Sequence, residues 1–196
     1  MIQKIGVIGA GQMGNGIAHV CALAGFDVVL NDTDRGQIDV ALKTIGHNID
    51  RQVSRHLVSE PEKVAALARI NETDKLEALS DVDLVIEAAT ENEAVKRKIF
   101  ATICPVLRKD TLIATNTSSI SVTRLASSTD RPERFMGMHF MNPVPVMQLV
   151  ELIRGIATDE ETFRTVRELT IKLGKTPANA EDFPAFIVNR ILLPMI

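Results

Sequence analysis

Short runs of apolar residues recur along the chain, separated by longer stretches in which apolar and polar residues alternate with a helical period. In chain order, the clearest runs cover residues 5–8, 28–30, 84–86 and 112–114. Continuous apolar runs are typical of strands that are buried on both faces of a parallel sheet. The pattern therefore predicts an α/β fold with a doubly wound, mostly parallel sheet.

Cap residues and periodicity predict helices between these strands. They cover residues 12–24, ended by Gly25, then 35–55, and 93–103. The stretch from Ser59 to Glu62 has the sequence of a capping box and predicts the start of another helix.

After Phe135 the alternation of strand and helix changes. Two strands follow each other closely, which predicts late antiparallel pairing. The next helix is predicted to begin at a second capping box, formed by Thr158 and Glu161, and to end at Gly174.

The last stretch, from Phe186 to Ile196, is apolar and helical in character. Such a helix would expose an apolar stripe unless further structure covered it. We therefore expect a domain over residues 1–184, and in 185–196 the first helix of an all-α domain.

Composition narrows the possible functions. The formal net charge is −3, and the sequence contains neither Trp nor Tyr. A negative net charge does not indicate a surface that attracts nucleic acid or an anionic membrane. No apolar run is long enough to span a bilayer, and no signal peptide is evident. Cys21 and Cys104 lie in apolar patterns and are predicted to be reduced thiols, so a cytoplasmic location is expected.

The segment VIGAGQMGNG places Gly9, Gly11 and Gly14 in a G-x-G-x-x-G spacing, with Gln12 and Met13 at the start of the helix that follows. The spacing alone is a weak signal, but here it follows a predicted strand and opens a helix, which indicates a dinucleotide site in a Rossmann-like fold. The pyrophosphate would lie at the helix N-terminus, where backbone N–H groups are free.

Asp32 ends the second predicted strand, where a carboxylate can accept both ribose hydroxyls of NAD. A 2′-phosphate would be repelled there, so NAD is predicted rather than NADP. Arg35 lies close and weakens this preference, whereas Asp34 offsets it. The alternative is a structural glycine turn followed by a surface aspartate.

The segment HFMNPVPVMQLVE contains His139 in one apolar strand and Glu151 in the next. If the prolines reverse the chain around Pro145, the two side chains face each other across the strands. A carboxylate against imidazole fixes its tautomer, as a general base in alcohol oxidation requires. The alternative is a core histidine near a glutamate at the rim.

Five segments together resemble the L-3-hydroxyacyl-CoA dehydrogenases, most closely the short bacterial 3-hydroxybutyryl-CoA dehydrogenases. They are VIGAGQMGNGIA, VIEAATEN, ATNTSSISVT, GMHFMNPVPVMQLVE and FIVNRIL. The resemblance implies reversible, NAD-dependent oxidation of (S)-3-hydroxyacyl-CoA to 3-oxoacyl-CoA, with a short-chain substrate such as 3-hydroxybutanoyl-CoA.

The resemblance also implies roles for catalytic residues. His139 would be the general base and Glu151 its partner. Ser118 would hydrogen-bond the reacting oxygen, and Asn189 would help to hold the thioester carbonyl or the reacting centre. Asn142 would lie beside the same site. Without the resemblance, Ser118 and its neighbour Ser119 could merely cap the helix that starts near Ser121.

Further residues match family positions around the cofactor and the substrate. Asn116, Glu91 and Lys96 would lie near the nicotinamide, although Glu91 and Lys96 could also form an ordinary surface pair. Asn48, Arg51 and Arg55 share one face of the long helix and would bind the CoA moiety, with the arginines clamping its phosphates. The alternative is a solvated helix face.

The sequence departs from the family in two respects. The usual Pro-Gly-Phe is Pro184-Ala185-Phe186 here, and because alanine does not readily adopt a positive φ, the entry to the last helix is expected to differ. Family members also continue into a helical domain that closes over the substrate and forms most of the homodimer interface, so we expect this shortened chain to bind NAD but to have little activity. Two other functions stay open: an L-gulonate-type sugar-acid dehydrogenase, and a non-catalytic NAD-binding or structural relative.

Overall fold

One eight-stranded sheet organises the chain in a computed structural model, which describes residues 2–195. The strand order is β3-β2-β1-β4-β5-β6-β7-β8. The strands are β1 (Lys4–Ile8), β2 (Asp27–Asn31), β3 (Ile70–Thr73), β4 (Leu84–Glu87), β5 (Leu112–Thr115), β6 (Phe135–Phe140), β7 (Leu149–Arg154) and β8 (Thr176–Glu181).

The sheet is parallel from β3 to β6, and the direction reverses between β6 and β7. Strand β8 runs parallel to β7. The chain starts in β1, builds β2 and β3 to one side, and then crosses to β4 on the other side. Such a switch point opens a crevice at the carboxyl ends of the strands, which is where doubly wound folds bind their ligands.

Helices cover both faces of the sheet, so the predicted doubly wound architecture is confirmed. They are α1 (Gln12–Leu23), α2 (Arg35–Ser54), α3 (Glu60–Ala68), α4 (Glu93–Ile103), α5 (Val122–Ala126), α6 (Glu160–Lys172) and α7 (Val188–Leu192). The apolar residues form two clusters, one beneath α1, α2 and α6 and the other beneath α4 and α5. Among the described residues, no helix combines the length and apolar character needed to cross a bilayer.

The predicted cap of α6 was wrong by one residue. Asp159 is the N-cap and accepts a hydrogen bond from the N–H of Thr162, whereas the hydroxyl of Thr158 donates to the buried carbonyl of Phe135. The predicted end is confirmed, since Gly174 follows the helix at φ +71°. The capping box of Ser59 and Glu62 is also present in α3.

The sequence pattern did not predict two edge elements, β3 and β8. Strand β3 has the sequence INET and β8 has TPANAE, so neither is a continuous apolar run. Both strands lie at an edge of the sheet, where one face is more exposed and a proline such as Pro177 is tolerated.

The chain after β8 leads into α7 through two residues in the left-handed region, Ala185 at φ +66° and Phe186 at φ +49°. The expectation that alanine would avoid a positive φ here is therefore wrong. Helix α7 exposes Ile191 and Leu192, as the apolar stripe predicted. The final residue of the predicted segment 185–196, Ile196, lies outside the described residues.

Candidate active site

His139 and Glu151 are cross-strand partners in the antiparallel pair of β6 and β7. His139 Nδ1 lies 2.7 Å from Glu151 Oε2. Glu151 is fully buried and His139 is 7% exposed, so the alternative of a glutamate at the rim does not apply. The connection 141–148 reverses the chain, as the prolines predicted. Because Nδ1 is engaged by the carboxylate, Nε2 is the nitrogen available to a substrate.

The second oxygen of Glu151 links β7 to the last helix. Oε1 accepts hydrogen bonds from the backbone N–H groups of Ile187 at 2.9 Å and Val188 at 2.8 Å. These are orphan donors at the start of α7, so the carboxylate caps the helix and orients the imidazole at the same time. Phe186 packs beside the imidazole, with ring centroids 6.0 Å apart.

A cleft of about 420 Å³ opens in front of His139 at the carboxyl ends of the strands. It brings together most of the residues that the sequence proposed for the reacting end of the site. Its lining includes Met13, Glu91, Asn116, Ser118, His139, Asn142 and Asn189.

Glu91 organises the loop that follows β5. Its Oε1 accepts hydrogen bonds from Thr117 Oγ1 at 2.7 Å, from Ser118 N at 2.8 Å, from Ser118 Oγ at 2.9 Å and from both the N–H and the hydroxyl of Ser119. Burial would raise the pKa of Glu91, but the hydrogen bonds from Thr117 and Ser118 outweigh it and the pKa is lowered. Ser118 and Ser119 do not cap α5, because its N-cap is Ser121.

Two asparagines hold neighbouring segments around this cleft. Asn189 Nδ2 donates to the carbonyl of Ser118 at 3.2 Å, which links α7 to the loop after β5. Asn116 Oδ1 accepts from the N–H of Phe140 at 2.8 Å, which joins the ends of β5 and β6 next to His139. Both side chains therefore fix the walls on either side of the histidine.

Lys96 is not part of a surface pair with Glu91. Its ammonium group is fully buried and lies 2.7 Å and 2.9 Å from the two oxygens of Glu87, whereas the distance to Glu91 is 3.8 Å. Glu87 also accepts from Thr115 Oγ1 at 2.6 Å and from Ala89 N at 2.8 Å. The sequence analysis missed Glu87, although a glutamate after the apolar run LVI is a signal for a buried partner.

The glycine loop fits a dinucleotide. Gly9 has φ +99°, and a Cβ at Gly14 would lie 1.7 Å from the carbonyl oxygen of Gly9, so α1 can approach the loop only with glycine there. A Cβ at Gly11 would meet no atom within 4 Å, which leaves open space for a phosphate at the N-terminus of α1. Gln12 is exposed in the first turn, and Met13 lines the cleft.

Asp32 follows β2 at the rim of a second cavity, of about 360 Å³, where an adenosine ribose would lie. Its Oδ2 accepts from the N–H of Ala10 at 2.7 Å, so the carboxylate is fastened to the glycine loop. Arg35 turns away to a bidentate ion pair with Asp74, and Asp34 caps α2. The surroundings of Asp32 therefore fit an unphosphorylated ribose.

Asn48, Arg51 and Arg55 line a third cavity, of about 360 Å³. Its opposite wall is formed by Pro143, Pro145 and Val146 of the loop after β6. Arg51 Nη2 lies 3.2 Å from Asn48 Oδ1, and both arginines are exposed. This cavity, which we call the arginine pocket, shares the loop 141–148 with the cleft of His139. Among the described residues, no group of three or more His, Cys, Asp or Glu side chains is placed to hold a metal ion.

Comparisons with known proteins agree with this geometry. Residues 4–183 match the family 3-hydroxyacyl-CoA dehydrogenase, NAD binding domain. A 3-hydroxybutyryl-CoA dehydrogenase of Bradyrhizobium diazoefficiens is 63% identical over the whole chain, which covers 67% of that protein. A fatty acid oxidation complex subunit alpha of Acinetobacter baumannii is 44% identical over 98% of the chain, which covers 27% of that subunit.

A solved structure shows the same fold. The (S)-3-hydroxybutyryl-CoA dehydrogenase of Ralstonia eutropha superposes with a TM-score of 0.97 at 46% identity, over 100% of this chain and 69% of that one. The superposition therefore extends over the Gly9 loop, strands β6 and β7 and α7 of this chain. The chain belongs to the 3-hydroxyacyl-CoA dehydrogenases and contains the NAD-binding domain of that family.

Proposed function

We propose that this chain catalyses the reversible, NAD-dependent oxidation of (S)-3-hydroxyacyl-CoA to 3-oxoacyl-CoA, with 3-hydroxybutanoyl-CoA as the substrate. The observation that carries the proposal is the buried pair of His139 and Glu151 at 2.7 Å, on the wall of a cleft that adjoins the glycine loop. An alcohol can be oxidised only if a base removes its hydroxyl proton as hydride leaves the same carbon, and this pair supplies that base.

His139 acts as the general base. With Nδ1–H donated to Glu151, neutral Nε2 receives the proton of the substrate hydroxyl, and the buried carboxylate stabilises the imidazolium that forms. The chemistry that NAD would supply when bound is acceptance of the hydride that leaves the hydroxyl-bearing carbon. In the reverse direction the imidazolium returns the proton to the carbonyl oxygen.

The remaining residues of the cleft position the substrate. The hydroxyl of Ser118, which donates to Glu91 in this structure, would turn to hydrogen-bond the reacting oxygen, while Glu91 and Asn189 hold the backbone of Ser118 in place. Asn189 and Asn142 line the same cleft and can hold the thioester carbonyl. Neutral side chains of this kind fix orientation without competing for the proton.

The arginine pocket supports CoA as the carrier of the acyl group. Arg51 and Arg55 present two permanent positive charges to a cavity that has a hydrophobic wall of Pro143, Pro145 and Val146. Guanidinium groups bind phosphates through paired hydrogen bonds, and the apolar wall suits the pantetheine arm. A sugar acid would leave this pocket without an occupant.

The test is NADH oxidation by acetoacetyl-CoA, followed by the loss of nicotinamide absorbance. We expect turnover by the unaltered chain and none by His139→Ala, while the affinity of the variant for NADH stays within about twofold of the original. Loss of NADH binding in His139→Ala would contradict the assignment of a general base. L-gulonate in the oxidative direction serves as the competing substrate, and its preference over 3-hydroxybutanoyl-CoA would overturn the proposal.

Residues 185–196 begin a second, helical domain in this proposal, and residues 1–184 form the NAD-binding domain. The exposed apolar side chains of Ile187, Ile191 and Leu192 support this division, since they need a cover. The homodimer is proposed to form through the same second domain, and light scattering on a chain extended to the length of its relatives tests it. The buried free thiols of Cys21 and Cys104 support a reducing, cytoplasmic location.

A further inference from the structure

The loop 141–148 separates the two ends of the proposed substrate site. Met141 and Asn142 line the cleft of His139, whereas Pro143, Pro145 and Val146 form a wall of the arginine pocket. A substrate whose reacting carbon meets His139 and whose phosphates meet Arg51 has to pass along this loop. The position of the loop therefore sets the span between the two binding regions.

Lys175 is hydrogen-bonded to the backbone of this loop. Its buried ammonium group donates to the carbonyl of Val144 at 2.6 Å and to that of Met147 at 2.8 Å. No ion pair of Lys175 with a carboxylate occurs within residues 2–195. Burial lowers the pKa of Lys175, because a charged group is removed from water with only carbonyl oxygens in return.

The fold places Lys175 at the loop through the pairing of β7 and β8. Lys175 directly precedes β8, and Leu149, the first residue of β7, pairs with Thr176. The N–H of Thr176 also donates to the carbonyl of Gln148 at 2.8 Å, so the end of the loop is hydrogen-bonded beside the lysine.

Helix α1 also packs against the loop. A Cβ at Gly16 would lie 2.8 Å from Val144 Cβ, so the helix can lie against the loop only because this position is glycine. The same helix begins at the glycine loop of the cofactor site. Val144, itself buried, therefore packs against Gly16 with its side chain and accepts a hydrogen bond from Lys175 with its carbonyl.

We propose that Lys175 is a positioning residue that holds the loop 141–148 at the distance from α2 that CoA requires. This inference rests on the proposed function. Lys175 touches neither the reacting atoms nor the arginines, and acts through the carbonyls of Val144 and Met147. Its loss should therefore affect the CoA end of the substrate more than the reacting end.

The experiment compares two thioesters that share the reacting group. Acetoacetyl-CoA reaches the arginine pocket, whereas acetoacetyl-N-acetylcysteamine is too short to do so. We expect Lys175→Met to raise KM for acetoacetyl-CoA about tenfold, while kcat/KM for the short thioester changes less than about twofold. Lys175→Arg keeps a donor and should recover part of the loss. The control is Lys172→Met, which replaces an exposed lysine on α6 and should change the kinetic constants for neither thioester.

Binding of free CoA, measured by calorimetry, separates this inference from the proposed function. Lys175→Met should weaken CoA about tenfold and leave NADH affinity unchanged, whether or not turnover occurs. Equal losses with both thioesters, or unchanged CoA affinity, would overturn the positioning role. Absence of turnover in the unaltered chain would instead count against the proposed function. If Lys175→Met does not fold, Gly16→Ala is the second variant: its added Cβ would meet Val144, so it displaces the same loop and must give the same selective loss of CoA affinity.

Discussion

The carboxylate of Glu151 makes two kinds of contact at once: one oxygen lies 2.7 Å from His139 Nδ1, and the other accepts the N–H groups of Ile187 and Val188. Both carboxylate oxygens have partners inside the protein, and the side chain is fully buried. The orientation of the proposed general base and the start of α7 therefore depend on a single side chain.

Replacing Glu151 by Gln tests how much of the chemistry depends on the charge. The amide can still accept from the backbone, but it cannot stabilise an imidazolium, so kcat should fall about a hundredfold or more with NADH affinity unchanged. Steady-state rates with acetoacetyl-CoA and NADH measure this. Glu160→Gln, at an exposed ion pair with Arg154, is the matched control. A kcat for Glu151→Gln within about threefold of the original would refute the role.

Two substitutions in the glycine loop should both weaken NADH binding but differ in their effect on stability. Gly11→Ala adds a methyl group where no atom lies within 4 Å, so thermal stability should stay unchanged while NADH affinity falls at least about tenfold. Gly14→Ala forces a Cβ to within 1.7 Å of the Gly9 carbonyl oxygen, so it should also lower the free energy of unfolding by about 3 kcal/mol. NADH fluorescence and thermal denaturation distinguish the two, and equal destabilisation by both would contradict this geometry.

The buried pair of Lys96 and Glu87 should contribute strongly to stability. Lys96→Met leaves the carboxylate of Glu87 buried without its counterion, and the free energy of unfolding should fall by about 3–5 kcal/mol. The double variant with Glu87→Gln removes the uncompensated charge and should recover part of this loss. The chain contains no Trp or Tyr, so circular dichroism is the suitable probe of urea unfolding. A double variant that is less stable than Lys96→Met would show that the pair is not the cause.

Asp182 predicts a pH dependence of stability. It accepts from Ser121 Oγ at 2.7 Å and from the N–H groups of Val122 and Thr123, at the start of α5. Burial would raise the pKa of Asp182, but these hydrogen bonds outweigh it and lower the pKa below its ordinary value of 3.8.

A carboxyl group with a lowered pKa stabilises the fold above its ordinary pKa and loses that effect as the pH falls through the folded value. Asp182→Asn should therefore lower the free energy of unfolding by about 2 kcal/mol at pH 7, and the difference should shrink below pH 3.8. Urea unfolding at several pH values measures this, with exposed Asp39→Asn as the control. A difference that grows towards acid would contradict the assignment.

Elements whose apolar residues follow a regular pattern along the chain could be predicted from the sequence. The central strands are uninterrupted apolar runs, and the facing of His139 and Glu151 follows from two strands joined by a proline turn. The partnership of Lys96 and Glu87 could not be predicted in this way, because their contact depends on how α4 packs over β4. Strand β8 was missed because its polar and proline residues are tolerated only at a sheet edge, which sequence pattern does not reveal.

The contacts of Glu91 and Lys175 could not be predicted from the sequence either, because they too depend on how distant segments pack. Both act on backbone groups of distant loops, and such groups are supplied by every residue type. Only the folded chain shows which loops those carbonyls and N–H groups belong to. The left-handed backbone at Ala185 is a related case, since the hydrogen bonds of Glu151 with Ile187 and Val188, just after it, hold a conformation that alanine alone disfavours.

The loop 141–148 connects two strands, β6 and β7, whose pairing fixes the positions of His139 and Glu151. Five residue pairs fix the register of β6 and β7, and a shift by one residue would turn His139 and Glu151 to opposite faces of the sheet. Lys175 and Gly16, which contact this loop, belong to neither strand of the pair, so their contacts lie outside these five residue pairs. On the function proposed above, substitutions at those contacts would change the binding of the CoA end of the substrate, while His139 would stay opposite Glu151.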